Sequence, residues 1–183
     1  MFFIRYFIIL HRLEISFIGD KSPLFCYTLM ISRDKIIELA GPVLNEKKFF
    51  IVSLTISASN KIVLHIDGMK GVKIEDCIHV SRVIEQGLDR EVEDFDLEVS
   101  SAGLDTPFKS VQQYVKNIGR DVIVQHSNGS ITEGKLIEAN ENNFVIECRR
   151  REKIEGKKKK QTIIERMGFD YNEVNNVKLV LRF

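Results

Sequence analysis

The stretch Leu97-Glu-Val-Ser-Ser-Ala-Gly-Leu-Asp-Thr-Pro-Phe108 decides how this chain is organised. Phe95, Leu97 and Val99 alternate with Asp96, Glu98 and Ser100, the period of two expected of a strand with one buried face. The strand runs into Ser100, Ser101, Ala102 and Gly103. Small side chains and a glycine there allow a positive φ or a close backbone approach. Pro107 bars a helix immediately before it. Beyond it, Val111, Tyr114, Val115 and Ile118 fall at helical spacing. The stretch therefore predicts a buried strand handed to the next unit through a short, stiff, polar turn. Ser100, Ser101, Gly103, Leu104, Asp105 and Pro107 form this junction, and it reads as a joint rather than an active site.

Upstream of the junction the pattern is α-β-β-α-β. Ser32 is placed to cap a helix reaching about Asn45, with Ile36, Ile37, Ala40, Val43 and Leu44 on one face. Pro42 lies late in it and is expected to end it early. Phe49 to Ile56 reads as a strand with Phe50, Val52, Leu54 and Ile56 on one side. A turn at Ala58-Ser-Asn60 returns the chain through Ile62, Leu64 and Ile66, so the pair is a hairpin. Ile74 to about Leu88 is helical, with Cys77, Val80, Ser81, Ile84 and Leu88 in a stripe. A three-stranded sheet covered on one face by two helices suits this order.

Downstream the pattern changes to strands alone. Residues 121–126, 130–138, 142–150, 161–166 and 177–182 are predicted strands separated by short turns. Asn128-Gly129 is a strong hairpin signal, and Asp170-Tyr171 suggests a short 3₁₀ turn before the last strand. Five short antiparallel strands suit a small closed barrel, SH3-like or Sm-like, because closure removes exposed edges. The fold class is thus α+β: an N-terminal α-β-β-α-β unit over 30–102, a junction with a short helix over 103–118, and a β-barrel over 119–183.

The junction stretch also resembles the signature of the bacterial ribosome maturation factor RimP family, roughly Leu-Glu-Val-Ser-Ser-Pro-Gly-Leu-Asp-Arg-Pro-Leu. Leu97 to Ser101, Gly103, Leu104, Asp105 and Pro107 match it. Ala102 replaces the family's proline, Thr106 its arginine and Phe108 its leucine. Losing the proline leaves the turn less stiff. Losing the arginine removes a charge that could meet phosphate, so no RNA contact is assigned to Thr106. Asp67-Gly68 at a strand end and Asp76-Cys77 with Val80-Ser81-Arg82 extend the similarity, which spans about 31–183 and is weak in the last third.

With 183 residues and 44% hydrophobic side chains, the chain is long and apolar enough for one medium domain or two small ones. The formal net charge is only +1, so no global basicity announces nucleic acid. The regional balance says more. Residues 30–117 hold 11 basic and 14 acidic groups, whereas 118–183 hold 13 and 10. Cys26, Cys77 and Cys148 form no CxxC, which argues against zinc and fits reduced thiols in a cytoplasm. The first ten residues carry nine apolar side chains broken by Arg5. That run is shorter than the ~20 apolar residues of a membrane helix, and no small-residue cleavage site follows it. Residues 1–29 are read as an upstream extension, with Met30 at the family's start.

The strongest charge feature is a twelve-residue window holding Arg149, Arg150, Arg151, Lys153, Lys157, Lys158, Lys159 and Lys160, offset only by Glu152 and Glu155 to a net +6. It reads either as a solvated hairpin tip whose lysines discourage edge pairing or as an RNA phosphate contact. No aromatic residue interleaves with the charges, so nothing there reads bases. The acids between Asp89 and Glu98 lack an EF-hand's central glycine and terminal glutamate, and read as a solvated loop. His65, His79 and His126 stand singly, and no metal site is expected. GxSxG and GxxxxGK[ST] are both absent, so Ser100, Ser101 and Asp105 read as a self-satisfied turn and no cofactor is expected.

The resemblance implies a cytoplasmic, monomeric, non-enzymatic assembly factor for the small (30S) ribosomal subunit. Its implied partners are ribosomal RNA and a small-subunit ribosomal protein, with no membrane. The alternatives are a free RNA-binding translation regulator with an Sm-like barrel and, less favoured, an enzyme carrying a small regulatory barrel.

Overall fold

The computed structural model describes residues 31–153 and 160–182; the segment 1–29, read above as an extension, lies outside them. The first half runs α1 (Arg33–Lys47), β1 (Phe49–Ile56), β2 (Lys61–Gly68), α2 (Ile74–Gly87) and β3 (Asp96–Ser101). The strands form one sheet in the order β1-β2-β3, with β1 antiparallel and β3 parallel to β2. A parallel neighbour needs a long crossover, which α2 supplies.

Ser32 caps α1, its Oγ accepting from the Lys35 amide at 3.2 Å. The helix runs past Pro42 to Lys47. The expected early stop fails because one lost amide costs less than the burial that Val43 and Leu44, 7% and 5% exposed, gain on the core. Lys48 closes the helix at φ 57°, its amide donating to Asn45 and Leu44.

Strand β1 departs from simple alternation. A bulge between Ile51 and Ser53 shifts the register. Phe49 and Ile51 before it, and Leu54 and Ile56 after it, all meet the core. One extra residue inverts which parity faces inward. Phe50 and Val52 therefore do not share the Leu54 face, as straight alternation requires. Ile62, Leu64 and Ile66 of β2 with Val80 and Ile84 of α2 are fully buried in this first cluster.

The second half runs α3 (Val111–Lys116), β4 (Asp121–His126), β5 (Ile131–Ala139), β6 (Asn143–Lys153), β7 (Lys160–Asp170), a 3₁₀ turn (Tyr171–Glu173) and β8 (Val174–Leu179). The sheet order is β7-β6-β5-β4-β8, with antiparallel ladders. The last strand returns to pair with the first, as closure would require, but β7 and β8 share no ladder and no closed barrel is found among the described residues. The molecule is a mixed α+β fold with two sheets. Strand β7 runs four residues beyond its predicted end, because its pairing with β6 continues to Asn143↔Asp170. The Asn128-Gly129 hairpin forms as a three-residue loop. Gly129 takes φ 84°, and the His126 amide reaches the Ser130 carbonyl at 2.9 Å.

Phe144, Leu136, Ile146, Val122, Val124 and Val177 fill the second cluster at 0% exposure. Helix α3 packs there through Tyr114. Its buried face is Gln113, Tyr114 and Asn117, while Val115 and Ile118 are 39% and 43% exposed. Local capping decides that rotation. Gln113 Oε1 accepts the Lys109 amide at 2.7 Å, and Asn117 Nδ2 donates to the Gln113 carbonyl at 2.7 Å.

Candidate nucleic-acid interface and the junction beside it

Strands β6 and β7 pair over eleven residues each, from Asn143↔Asp170 to Lys153↔Lys160. Strand β5 pairs with β6 only as far as Lys135↔Glu147. From Cys148 onward the two strands continue as a two-stranded ribbon, an extension of roughly 20 Å for six residues. Arg149 and Arg150 are exposed at its base. Arg151 and Lys153 lie on the β6 backbone path and Lys160 opens β7. Lys157, Lys158 and Lys159 fall outside the described residues.

Strand alternation separates the ribbon's two faces. Phe144, Ile146 and Cys148 face the second cluster with Met167 and Phe169. Glu147, Arg149 and Arg166 take the opposite face. There Arg149 pairs with Glu147 at 3.5 Å. Ile163 and Ile164, 41% and 58% exposed, add apolar surface to the ribbon. Cys148 contacts Met167 at 3.8 Å, and burial followed by the nearby Glu165 raises its thiol pKa, so it stays protonated packing.

The outer sheet face meets the ribbon in a groove of about 900 Å³. Arg120, Lys135, Arg149 and Arg182 line it together with Asp121, Glu133 and Glu147. Arg182 bridges Asp121 at 3.2 Å and Glu133 at 3.1 Å. Strand alternation around the buried Leu136 places Lys135 outward, a signal the sequence held but the charge run in β6 overshadowed.

The junction is an exposed turn. The Ala102 amide continues the β2 pairing to Ile66 at 3.1 Å. Gly103 does not take a positive φ. Its backbone is instead approached closely, since an added Cβ would lie 3.1 Å from Asp105 Oδ1 and 3.2 Å from Thr106 Cγ2. Thr106 Oγ1 donates to the Gly103 carbonyl at 2.6 Å. The hydroxyl that replaces the family's arginine therefore closes the turn. Ser101, Leu104, Asp105 and Pro107 are exposed and Ser100 is half-buried. Phe108 ends the turn by donating its amide to Val177 at 2.8 Å and stacking edge-on against Tyr114 at 4.9 Å.

A contact that no local pattern announces ties the two sheets together. Lys116 Nζ of α3 donates to Asp67 Oδ1 at the end of β2, 2.6 Å away. The two side chains are only 15% and 11% exposed. Asp67 also accepts the Gly68 amide at 2.8 Å.

Among the described residues no group of His, Cys, Asp and Glu could hold a metal ion, and no helix is long and apolar enough to cross a membrane.

A family model described as the RimP N-terminal domain matches residues 39–105. The Flavobacterium psychrophilum protein named ribosome maturation factor RimP is 37% identical over 155 residues, covering 84% of this chain and 100% of that protein. The chain belongs to the ribosome maturation factor RimP family. Its relative of that name in Christiangramia forsetii is 38% identical over 152 residues, 82% of this chain and 99% of that protein. The Porphyromonas gingivalis RimP is 35% identical over 132 residues, 72% and 87%. The matched N-terminal region takes in β1, β2, α2 and β3 and ends inside the turn, so it contains the RimP-like stretch Leu97–Asp105 that carries the resemblance. Membership in a family of ribosome maturation factors gives the chain a role in ribosome assembly.

Proposed function

We propose that this chain binds the immature small (30S) ribosomal subunit and promotes its maturation without chemistry of its own. What carries the reading is the 37% identity to a RimP relative over 84% of the chain. The exposed arginines at the base of the β6–β7 ribbon suit the RNA half of the task. Arg149, Arg150, Arg151, Lys153 and Lys157–Lys160 contact ribosomal RNA phosphate, where each displaced counterion makes binding salt-sensitive. The mildly acidic first half, 30–102, offers a second face for a basic small-subunit ribosomal protein. The junction at 103–118 holds the two units at a fixed spacing, so two weak contacts act together. The strand order β7-β6-β5-β4-β8, in which the last strand returns to the first, supports an SH3-like or Sm-like barrel over 119–183. The protein works as a cytoplasmic monomer with no cofactor.

On a density gradient of a cell lysate the protein should track with free small subunits. Replacing Lys157–Lys160 by alanine should weaken binding to pre-subunits and lower the salt slope by about one for each phosphate no longer neutralised. Co-migration with translating ribosomes would favour a free translation regulator instead, and an unchanged salt slope would remove the ribbon's role.

A further inference from the structure

The ribbon is one wall of a larger surface. Its outward face, Glu147 and Arg149 on β6 and Arg166 on β7, continues without a step onto the solvent side of the sheet. Lys135 stands directly across from Glu147. Lys178 lies between the buried Val177 and Leu179, and so points to the same side. Arg120 lines the groove where β4 begins.

Charge pairing within this face is uneven. The acids lining the groove are Asp121, Glu133 and Glu147, while Glu138, beyond the β5 bulge, lies farther along the same face. Arg182 takes the first two, and Arg149 takes the third. Arg120, Lys135, Arg166 and Lys178 are exposed, and none of the four has an acidic partner within ion-pair distance among the described residues. Neighbouring strands are about 4.8 Å apart, so five strands carry these charges across roughly 19 Å. Arg166 and Lys135 stand two strands apart, roughly 10 Å, a separation comparable to the ~8 Å Debye length, so their fields add on a polyanion laid across the strands.

The lining also says which form of polyanion fits. No aromatic side chain lines the groove. Single-stranded RNA is held by bases stacked on aromatic rings, whereas duplex RNA is recognised through its backbone and shape. We infer that the outer face of the second sheet, from Arg166 across Lys135 to Arg120 and Lys178, is a docking surface for the phosphate backbone of duplex RNA. The inference rests on the RNA-contacting reading above and adds to it a face, four residues and a preference for paired RNA. Asp121 and Glu133 hold Arg182 in place at one limit of the track, and Glu147 orients the exposed Arg149 at the other, so the four unpaired cations meet phosphate alongside Arg149.

The test uses the full chain with Arg120→Glu and Lys135→Glu combined. Both side chains are exposed and outside either core, so folding should be retained. Far-ultraviolet circular dichroism and Arg82→Glu, a reversal on the exposed side of α2, serve as controls. Fluorescence anisotropy is read against a 20-base-pair RNA duplex and a single strand of matched length across a salt series. The expected result is at least a tenfold loss for the duplex, a salt slope lower by about two, and wild-type duplex affinity for Arg82→Glu. Unchanged duplex binding in the double variant overturns the inference. If the Lys157–Lys160 variant loses RNA binding while the groove variant keeps it, the groove falls and the ribbon stands; if neither loses it, both fall. Tighter wild-type binding to the single strand also overturns the duplex assignment. So does loss of pre-subunit binding with duplex affinity intact, which would mark the face as a protein contact.

Discussion

Tyr114 shows what a single buried side chain fixes. It is 6% exposed, lies 4.9 Å from both Phe108 and Tyr171, and anchors α3 on the second cluster. Burial, and after it the neighbouring Tyr171, pushes its phenol well above the ordinary range. A group whose folded pKa is raised contributes stability that is complete below its unfolded value, about 10, and is lost as pH rises beyond it. Tyr114→Phe should therefore change the urea midpoint little at pH 7, by about 1 kcal/mol or less. Above pH 10 the wild type should lose stability more steeply than the variant. Parallel curves between pH 7 and 11 would show that Tyr114 is not the titrating group. Tyr114 was legible as a core residue from its helical spacing. Val115 and Ile118 were not correctly legible, because a six-residue helix takes its rotation from Gln113 and Asn117 capping, which hydrophobic periodicity does not record.

At the scale of elements, ladders and helices followed period and composition where nothing interrupted them. Strand β2 as far as Ile66 and strand β4 as far as Val124 alternate and match expectation. The β1 bulge and the run of α1 past Pro42 did not follow, since both depend on what the segment packs against. Helix α2 shows the same dependence at its start. Asp76 accepts the Lys73 amide at 3.1 Å and Lys47 Nζ at 2.9 Å, so one carboxylate caps α2 and ties it to α1. The hydrogen bond from Lys47, and then that from the Lys73 amide, hold its pKa below the usual carboxylate value. With a depressed folded pKa, the contribution is present above about pH 4 and disappears as pH falls through the folded value. Asp76→Asn should lower the denaturation midpoint at pH 7, and the gap to wild type should close as the pH is taken toward 2.5. A gap of constant size would mean the carboxylate's charge is not what matters. The ribbon belongs to this scale too. Its basic run was plain in the sequence, but its reach past the sheet was not, because β7 was expected to end at Arg166 and β5 gives no local sign of where it leaves β6.

At the scale of the molecule, the change from a helix-and-strand pattern to strands alone suggested two units in the sequence, and the structure has two sheets, each with its own hydrophobic cluster. Their attachment was not legible, because Asp67 and Lys116 lie 49 residues apart with no pattern joining them. A covalent turn alone would leave the two sheets free to pivot. A largely buried ion pair adds a second attachment, and two attachments leave rotation about only one axis. Removing one partner strands the other charge away from water, the costly half of the trade. Lys116→Met should thus destabilise the protein by about 3 kcal/mol. Asp67→Leu combined with Lys116→Met should recover part of that loss, because no buried charge remains unpaired. The coupling in the full double-mutant cycle should reach about 1 kcal/mol or more. Small-angle scattering adds a readout that stability alone does not supply. If the pair sets the spacing between the sheets, Lys116→Met should broaden the distance distribution under fully folded conditions. Additive single losses with an unchanged distribution would reduce Asp67–Lys116 to an ordinary surface contact and leave the turn from Ala102 to Phe108 as the sole joint.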